Sequence, residues 1–203
     1  TVTTIAGGSV TARELAELMV GSELPNPSTE VSTVTDREVL EVIDLSLPSS
    51  GGGRPLLDRI SFRIRAGEIL GIAGVEGNGQ AELVEAIMGM RPEATGQVEL
   101  NDKSIGDWST RERRESGIGF IPEDRHRQGL LLDAPLWENR VLGHQTRKPN
   151  VRGPFINRAG ARADTERIVR EYDVRTPSID TLAGALSGGN QQKLIVGREM
   201  SSE

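Results

Sequence analysis

Leu186-Ser187-Gly188-Gly189-Asn190-Gln191-Gln192-Lys193 stands near the end of the 203-residue chain and opens the run Gln191–Met200, which reads as a helix. Gly188 and Gly189 have no Cβ, so the backbone there can come close to a ligand. Ser187 is a favourable N-cap for that helix. A helix start with free N–H groups and the positive end of the helix dipole attracts a phosphate. Taken alone, the stretch fits either a phosphate site or an ordinary serine-capped helix after a glycine turn.

A second glycine loop lies upstream, Gly74-Val75-Glu76-Gly77-Asn78-Gly79-Gln80-Ala81. The apolar run Glu68–Ala73 before it predicts a buried strand. The segment Ala81–Met88 after it predicts a helix, with Leu83, Val84, Ile87 and Met88 on one apolar face and Gly89 as its C-cap. Strand, glycine loop and helix are the setting of a phosphate-binding P-loop. Of the template GxxxxGK(S/T), both glycines are present as Gly74 and Gly79. Gln80 replaces the lysine that reaches the β/γ-phosphates, and Ala81 replaces the hydroxyl that holds Mg²⁺. Gln80 can donate hydrogen bonds but brings no charge, and Ala81 cannot coordinate a metal. Gly77, Asn78 and Gly79 keep the composition of an anion-binding nest. The expectation is a backbone cradle that still binds nucleotide but turns over little, since one preorganised electrostatic group is worth about 10²–10³ in rate. A tight turn that binds nothing is the alternative.

A third segment, Ser116-Gly-Ile-Gly-Phe-Ile-Pro-Glu123, begins as a strand and breaks at Pro122. Glu123, Asp124, Arg125 and Arg127 then make a dense charged loop, which by itself reads as a solvated surface.

Together these segments carry a resemblance. LSGGNQQK is a variant of LSGGQ, the signature of ATP-binding-cassette (ABC) ATPases. GVEGNGQAEL, IPEDRHRQGL, DVRTPS and ALSGGNQQKLIVGRE resemble the second ATPase half of a double-cassette ABC importer, closest to its nucleoside branch and similar also to its simple-sugar branch. The resemblance covers roughly residues 37–203 and implies an α/β P-loop NTPase fold of ABC type. That fold has a partial RecA-like core, an antiparallel β subdomain and an α-helical subdomain. A degenerate P-loop and an acidic replacement in the Q-loop are usual for this half, and Glu123 occupies that Q-loop position.

The mechanism the resemblance implies is asymmetric. Two cassettes sandwich two ATP molecules, each site pairing one P-loop with the opposite signature. Ser187, Gly188 and Gly189 would act in trans on a γ-phosphate. Gly74, Glu76, Gly77, Asn78, Gly79, Gln80 and Ala81 would cradle ATP in cis, without a hydroxyl for its Mg²⁺. The implied partners are a first ATPase cassette on the same polypeptide, transmembrane permease subunits and, indirectly, a substrate-binding lipoprotein. The implied place is the cytoplasmic face of the cell membrane. A simple-sugar importer half, a structural cassette half that binds no nucleotide, and a self-contained phosphate-binding module are the alternatives.

The ends extend this reading. Residues 1–21 predict the strand end and short helix of a preceding cassette, and the Pro- and Ser-rich stretch 22–36 predicts a linker. Residues 37–124 would hold the β subdomain and the P-loop part of the core, 125–185 the helical subdomain, and 186–203 the signature and its helix. No Walker B strand or switch histidine follows, so the chain is expected to be a fragment, inactive alone.

Composition narrows the alternatives. The net charge is −6 and aromatics are 3% of residues, which argue against a nucleic-acid partner that relies on basic patches or stacking. There is no cysteine, hence no disulfide and no cysteine metal site. No apolar run approaches the ~20 residues of a membrane span. Residues 110–175 carry 14 Lys/Arg against 10 Asp/Glu, while the rest carries 10 against 20. Much of that basic excess lies on Asn157–Tyr172, a helix with Ile168 and Tyr172 on one face, which reads as salt-bridged surface or as the subdomain that docks a membrane subunit. Trp137 is a candidate buried anchor beside it. Glu38–Leu47, Arg59–Arg65 and Gly96–Asn101 alternate like antiparallel strands. The stretch Leu45–Arg54 has no aromatic ring to stack on adenine.

Overall fold

The computed structural model describes residues 32–75 and 77–201, together with Glu14 and Glu17. The expected tail of a preceding cassette therefore lies outside the described residues, apart from those two glutamates, which are helical. Of the expected linker only 32–36 is described, exposed and without regular structure.

The first strand, β1 (Glu38–Leu47), contains a change of parity. Leu40 and Val42 point inward before it, Leu45 and Leu47 after it, so an unbroken period of two would put the second pair in solvent. A bulge at Ile43–Asp44 absorbs the extra residue. The pairing register shifts there against both β2 (Leu57–Arg65) and β3 (Thr95–Leu100), and Asp44 takes φ +48°. The bulge needs the glycine across from it. Gly96 has φ +110°, and a Cβ there would stand 2.7 Å from the Asp44 carbonyl oxygen. With β4 (Lys103–Ser104), the order of this antiparallel sheet is β2-β1-β3-β4.

Helix α1 (Gln80–Ile87) lies on one face of the sheet. Leu83, Ala86 and Ile87 pack with Val42, Leu45, Leu47, Leu57, Val98 and Ile105 in one core. Each large side chain so buried contributes about 1.5–3 kcal/mol. The C-cap is Met88 rather than the expected Gly89, which follows it at φ +71° and donates its N–H to the Ala86 carbonyl at 3.0 Å. The last carbonyls of α1 meet a buried guanidinium. Arg113 donates to Ile87 O at 2.6 Å and also to Gly106 O and Trp108 O, placing positive charge at the negative end of the helix. Arg113 sits on α2 (Thr110–Glu115), which opens with a capping box between Ser109 and Glu112.

A second core is helical. A π-helical turn (Arg125–Gly129), α3 (Leu136–Val141), the hairpin of β5 (Val151–Arg152) and β6 (Phe155–Ile156), α4 (Arg158–Glu171), a 3₁₀ turn (Ala183–Ala185) and α5 (Gly188–Met200) follow in order. Leu130, Leu136, Ile168, Val174, Ala183, Leu186, Leu194 and Ile195 bury together. The wholly buried Asn139 holds the loop into α3, accepting from the Leu131 N–H at 2.8 Å and donating to the Leu131 and Pro135 carbonyls. Arg140 on α3 and Asp164 on α4 form a buried ion pair at 2.7 Å.

Four further expectations fail. Glu68–Ala73 is not a strand: it has no regular structure, with Ile69 96% exposed and Ile72 exposed. An apolar run becomes a core strand only with neighbours to pair with, and among the described residues every strand pair is antiparallel and none includes this segment. Ser116–Ile121 is likewise no strand; the Phe120 N–H instead donates to the Glu199 carboxylate at 3.1 Å. On α1, Val84 is exposed and Ala86 takes the buried place expected of it. Trp137 is half-buried rather than a buried anchor, with the Arg158 guanidinium 5.9 Å above its ring.

Candidate functional site

The upstream glycine loop turns at Gly77 (φ +83°) and Gly79 (φ +102°), and Gly79 is the N-cap of α1. Both angles lie in the left-handed region that glycine adopts without strain. The loop closes on itself. The Asn78 N–H and Gln80 Nε2 both donate to the Val75 carbonyl, each at 3.2 Å. The Gln80 amide therefore folds back across the loop, so close to Gly74 that a Cβ there would stand 2.2 Å from Nε2. Glu76 lies outside the described residues, and Ala81 is exposed on the first turn of α1.

Beside this loop is a cleft of about 610 Å³ between Gly77-Asn78-Gly79 and Arg54–Asp58. Its far wall carries Pro55, Leu56 and the cation Arg54 and has no aromatic ring, as the sequence implies. The residues fit a nucleotide in part: two left-handed glycines at a helix N-terminus and an arginine across the cleft suit phosphate. They do not fit Mg²⁺. Ala81 has no oxygen to offer, and no cluster of acidic or histidine side chains suited to a metal occurs among the described residues.

The signature stretch stands in the other core. Ser187 (φ −63°, ψ 154°) is the N-cap of α5, and Ser187, Gly188 and Gly189 are all exposed. The Ser187 hydroxyl does not cap the helix as expected. It accepts from Asn190 Nδ2 at 3.0 Å, while Asn190 Oδ1 accepts the Arg175 N–H at 2.9 Å. The first N–H groups of α5 are thus left without a side-chain cap. Lys193 Nζ donates to the Asp173 carboxylate at 2.6 Å and to its carbonyl at 2.8 Å. That hydrogen bond and charge hold the Asp173 carboxyl below its ordinary pKa. DVRTPS and the signature are one hydrogen-bonded unit.

The charged loop belongs to the same unit. Asp124 Oδ1 accepts from the His126 and Arg127 N–H groups and caps the π-helical turn. Arg125 Nε and His126 Nε2 both reach Gln191 Oε1, at 3.1 and 2.9 Å, and the buried Gln191 anchors its amide on the Ala183 carbonyl. Glu123, two residues before Arg125, is exposed. The structure thus joins the Glu123 loop to the signature. Among the described residues no hydrogen bond joins either to the upstream glycine loop.

The sequence singles out Ser187, Gly188 and Gly189 by their motif; it does not give the hydrogen bonds that tie Asn190, Gln191, Arg125 and His126 around them. The signal available was a buried-face position of α5 filled by glutamine, which requires polar partners.

Comparison with known proteins gives the family. The profile of the family described as ABC transporter matches residues 57–203. A guanosine import ATP-binding protein, NupO, of Bacillus subtilis (strain 168) is 43% identical over 187 residues, which is 92% of this chain and 36% of that protein. A nucleoside import ATP-binding protein, NupA, of Lactococcus lactis subsp. cremoris (strain MG1363) is 37% identical over 199 residues, 98% of this chain and 39% of that one. The chain therefore spans less than half the length of these relatives. Among solved structures, an ATP-binding cassette in a dimeric post-hydrolysis state, bound to ADP and Pi, matches with a TM-score of 0.65 at 19% identity, over 80% of this chain and 69% of that one. That last likeness is one of fold. The chain has the fold of an ABC ATPase cassette and belongs to the ABC transporter family.

Proposed function

We propose that this chain is the second ATP-binding half of a double-cassette ABC importer ATPase serving nucleoside uptake, with a weakened phosphate loop of its own and a working signature. Its parts are a first-cassette tail (1–21), a linker (22–36), a β subdomain with the phosphate loop (37–124), a helical subdomain (125–185) and the signature helix (186–203). One contrast carries the reading: Gln80 is folded onto Val75 at 3.2 Å, while Ser187, Gly188 and Gly189 stand exposed at the start of α5.

In this reading Ser187–Gly189 meet the γ-phosphate of ATP held by the first cassette, through backbone N–H groups that no side chain caps. Gly74, Glu76, Gly77, Asn78, Gly79, Gln80 and Ala81 cradle a second nucleotide that is held and not turned over. The exposed Glu123 faces a transmembrane permease subunit at the cytoplasmic side of the membrane. Because Arg125, two residues on, is bonded to Gln191, movement at Glu123 reaches the signature through side chains in contact. A substrate-binding lipoprotein delivers the solute.

Support for nucleosides comes from the names of the two relatives above. A simple-sugar importer is the second reading, because a ribose import ATP-binding protein of Rubrobacter xylanophilus is 36% identical over 188 residues. The test uses the full-length ATPase with its membrane subunits. ATPase stimulation by binding protein loaded with guanosine, and not with ribose, is expected. The reverse result assigns the sugar branch, and two sites of equal turnover refute the asymmetric reading.

A further inference from the structure

The signature of this chain brings no cation of its own. Ser187 to Gln192 are neutral, and Lys193 is held by the Asp173 carboxylate and carbonyl. Arg125 lies close by. Its Nη2 is 2.9 Å from the position a Cβ on Gly188 would take, so the guanidinium rests against the glycine backbone at the first turn of α5. Its Nε is fixed on Gln191 Oε1 at 3.1 Å. Neither Nη1 nor Nη2 donates to a protein acceptor among the described residues, and no carboxylate there lies within ion-pair distance. The neighbouring Asp124 is occupied instead with two backbone N–H groups. The turn that carries Arg125 is firmly seated: a Cβ on Gly129 would come within 3.1 Å of Ile195 and 3.2 Å of Pro122. Gln191 is itself buried and anchored on Ala183.

A guanidinium has five donors in a fixed fork, and one edge of this one is committed to positioning it. The other edge is open, half-buried, and set beside uncapped backbone N–H groups that already favour an anion. We propose that Arg125 is a further binding residue of the signature site, supplying the positive charge that contacts the terminal phosphate of ATP held by the facing cassette. Gln191 and His126 are its positioning residues. This inference rests on the in-trans signature reading above. It also gives the glycine at position 188 a second reason: any side chain there would displace the guanidinium.

The experiment uses the full-length ATPase with its membrane subunits and compares Arg125→Gln, Arg125→Lys and Gly188→Asp. ATPase kcat and KM are measured, along with the affinity of the catalytic site for a non-hydrolysable ATP analogue and for ADP. Arg125→Gln is expected to lower kcat/KM on the order of 10²-fold. It should weaken the ATP analogue and leave ADP unchanged, because only the terminal phosphate loses its partner. Arg125→Lys, which keeps the charge and loses the fork, is expected to recover much of the ATP-over-ADP preference, and it carries the test if the glutamine variant does not assemble. Equal weakening of ATP analogue and ADP in the variants, or unaltered kcat/KM, overturns the role of Arg125. Gly188→Asp separates the two claims. If it abolishes turnover while the Arg125 variants do not alter it, only the arginine assignment fails; if it too is harmless, the signature reading fails.

Discussion

Glu199 and Arg114 lie 85 residues apart in sequence and meet in a two-point contact, with Arg114 Nη2 at 2.8 and 3.0 Å from the two carboxylate oxygens. The same carboxylate accepts Arg198 Nε at 2.8 Å and the Phe120 N–H at 3.1 Å, and its side chain is 2% exposed. This cluster fastens the end of α5, the signature helix, to α2 and to the segment that leads into the Glu123 loop.

Glu199→Ala is therefore expected to cost about 3–5 kcal/mol, because it leaves two guanidinium groups without their counter-charge. Burial alone would raise the Glu199 pKa, but Arg198, Arg114 and the Phe120 N–H together hold it below the ordinary carboxylate value of 4.5. A carboxyl with a lowered folded-state pKa stabilises the fold above its unfolded value and loses that contribution as pH falls through the folded one. Urea midpoints at pH 7 should differ widely between wild type and Glu199→Ala, and the difference should shrink as pH falls below 4.5. An unchanged midpoint at pH 7 refutes the clasp.

His144 gives a separate acid window. Burial, with Arg140 adding to it, pushes its pKa from the ordinary 6.5 to about 4, so the folded protein holds the ring neutral. The unfolded chain binds a proton first, so stability is full above pH 6.5 and declines as pH falls toward 4, by on the order of 3 kcal/mol. His144→Gln should flatten the stability–pH curve over that interval. A curve as steep as that of wild type between pH 6.5 and 4.5 contradicts it.

Gly96→Ala should lower stability by about 1–3 kcal/mol, since it forces a Cβ into φ +110° and against the Asp44 carbonyl at 2.7 Å. Gly51→Ala, where a Cβ meets nothing within 4 Å, is the control and should stay within about 0.5 kcal/mol. Equal denaturation midpoints for the two variants refute the bulge argument.

What the sequence makes legible is what local chemistry settles. The alternation of Glu38–Leu47 gives β1 over those same residues, and the glycine at position 89 marks the end of α1. The bulge in β1 can be inferred only once the partner strand is known. Glu68–Ala73 shows the opposite failure: its apolar composition is plain, but composition does not supply a neighbour. At the site, the glycines and Ser187 are readable from their motif. The inward fold of Gln80, the Asn190 bond to Ser187 and the Arg125–Gln191 contact are not, because each depends on where a side chain finds its partner. The Arg125 contact spans 66 residues, and no periodicity in the sequence encodes it.

The central claim is the division of labour between the two glycine loops, and the most direct measurement is the ATPase rate of the full-length double cassette with its membrane subunits and loaded binding protein. Gly188→Asp puts a Cβ and a negative charge at the uncapped start of α5, 2.9 Å from Arg125 Nη2, where an anion must approach. It should abolish most turnover. Gln80→Ala removes an amide that is already turned onto Val75 and should leave most of the rate intact. A Gln80→Ala variant as damaged as Gly188→Asp would contradict the account, because the upstream loop would then be catalytic.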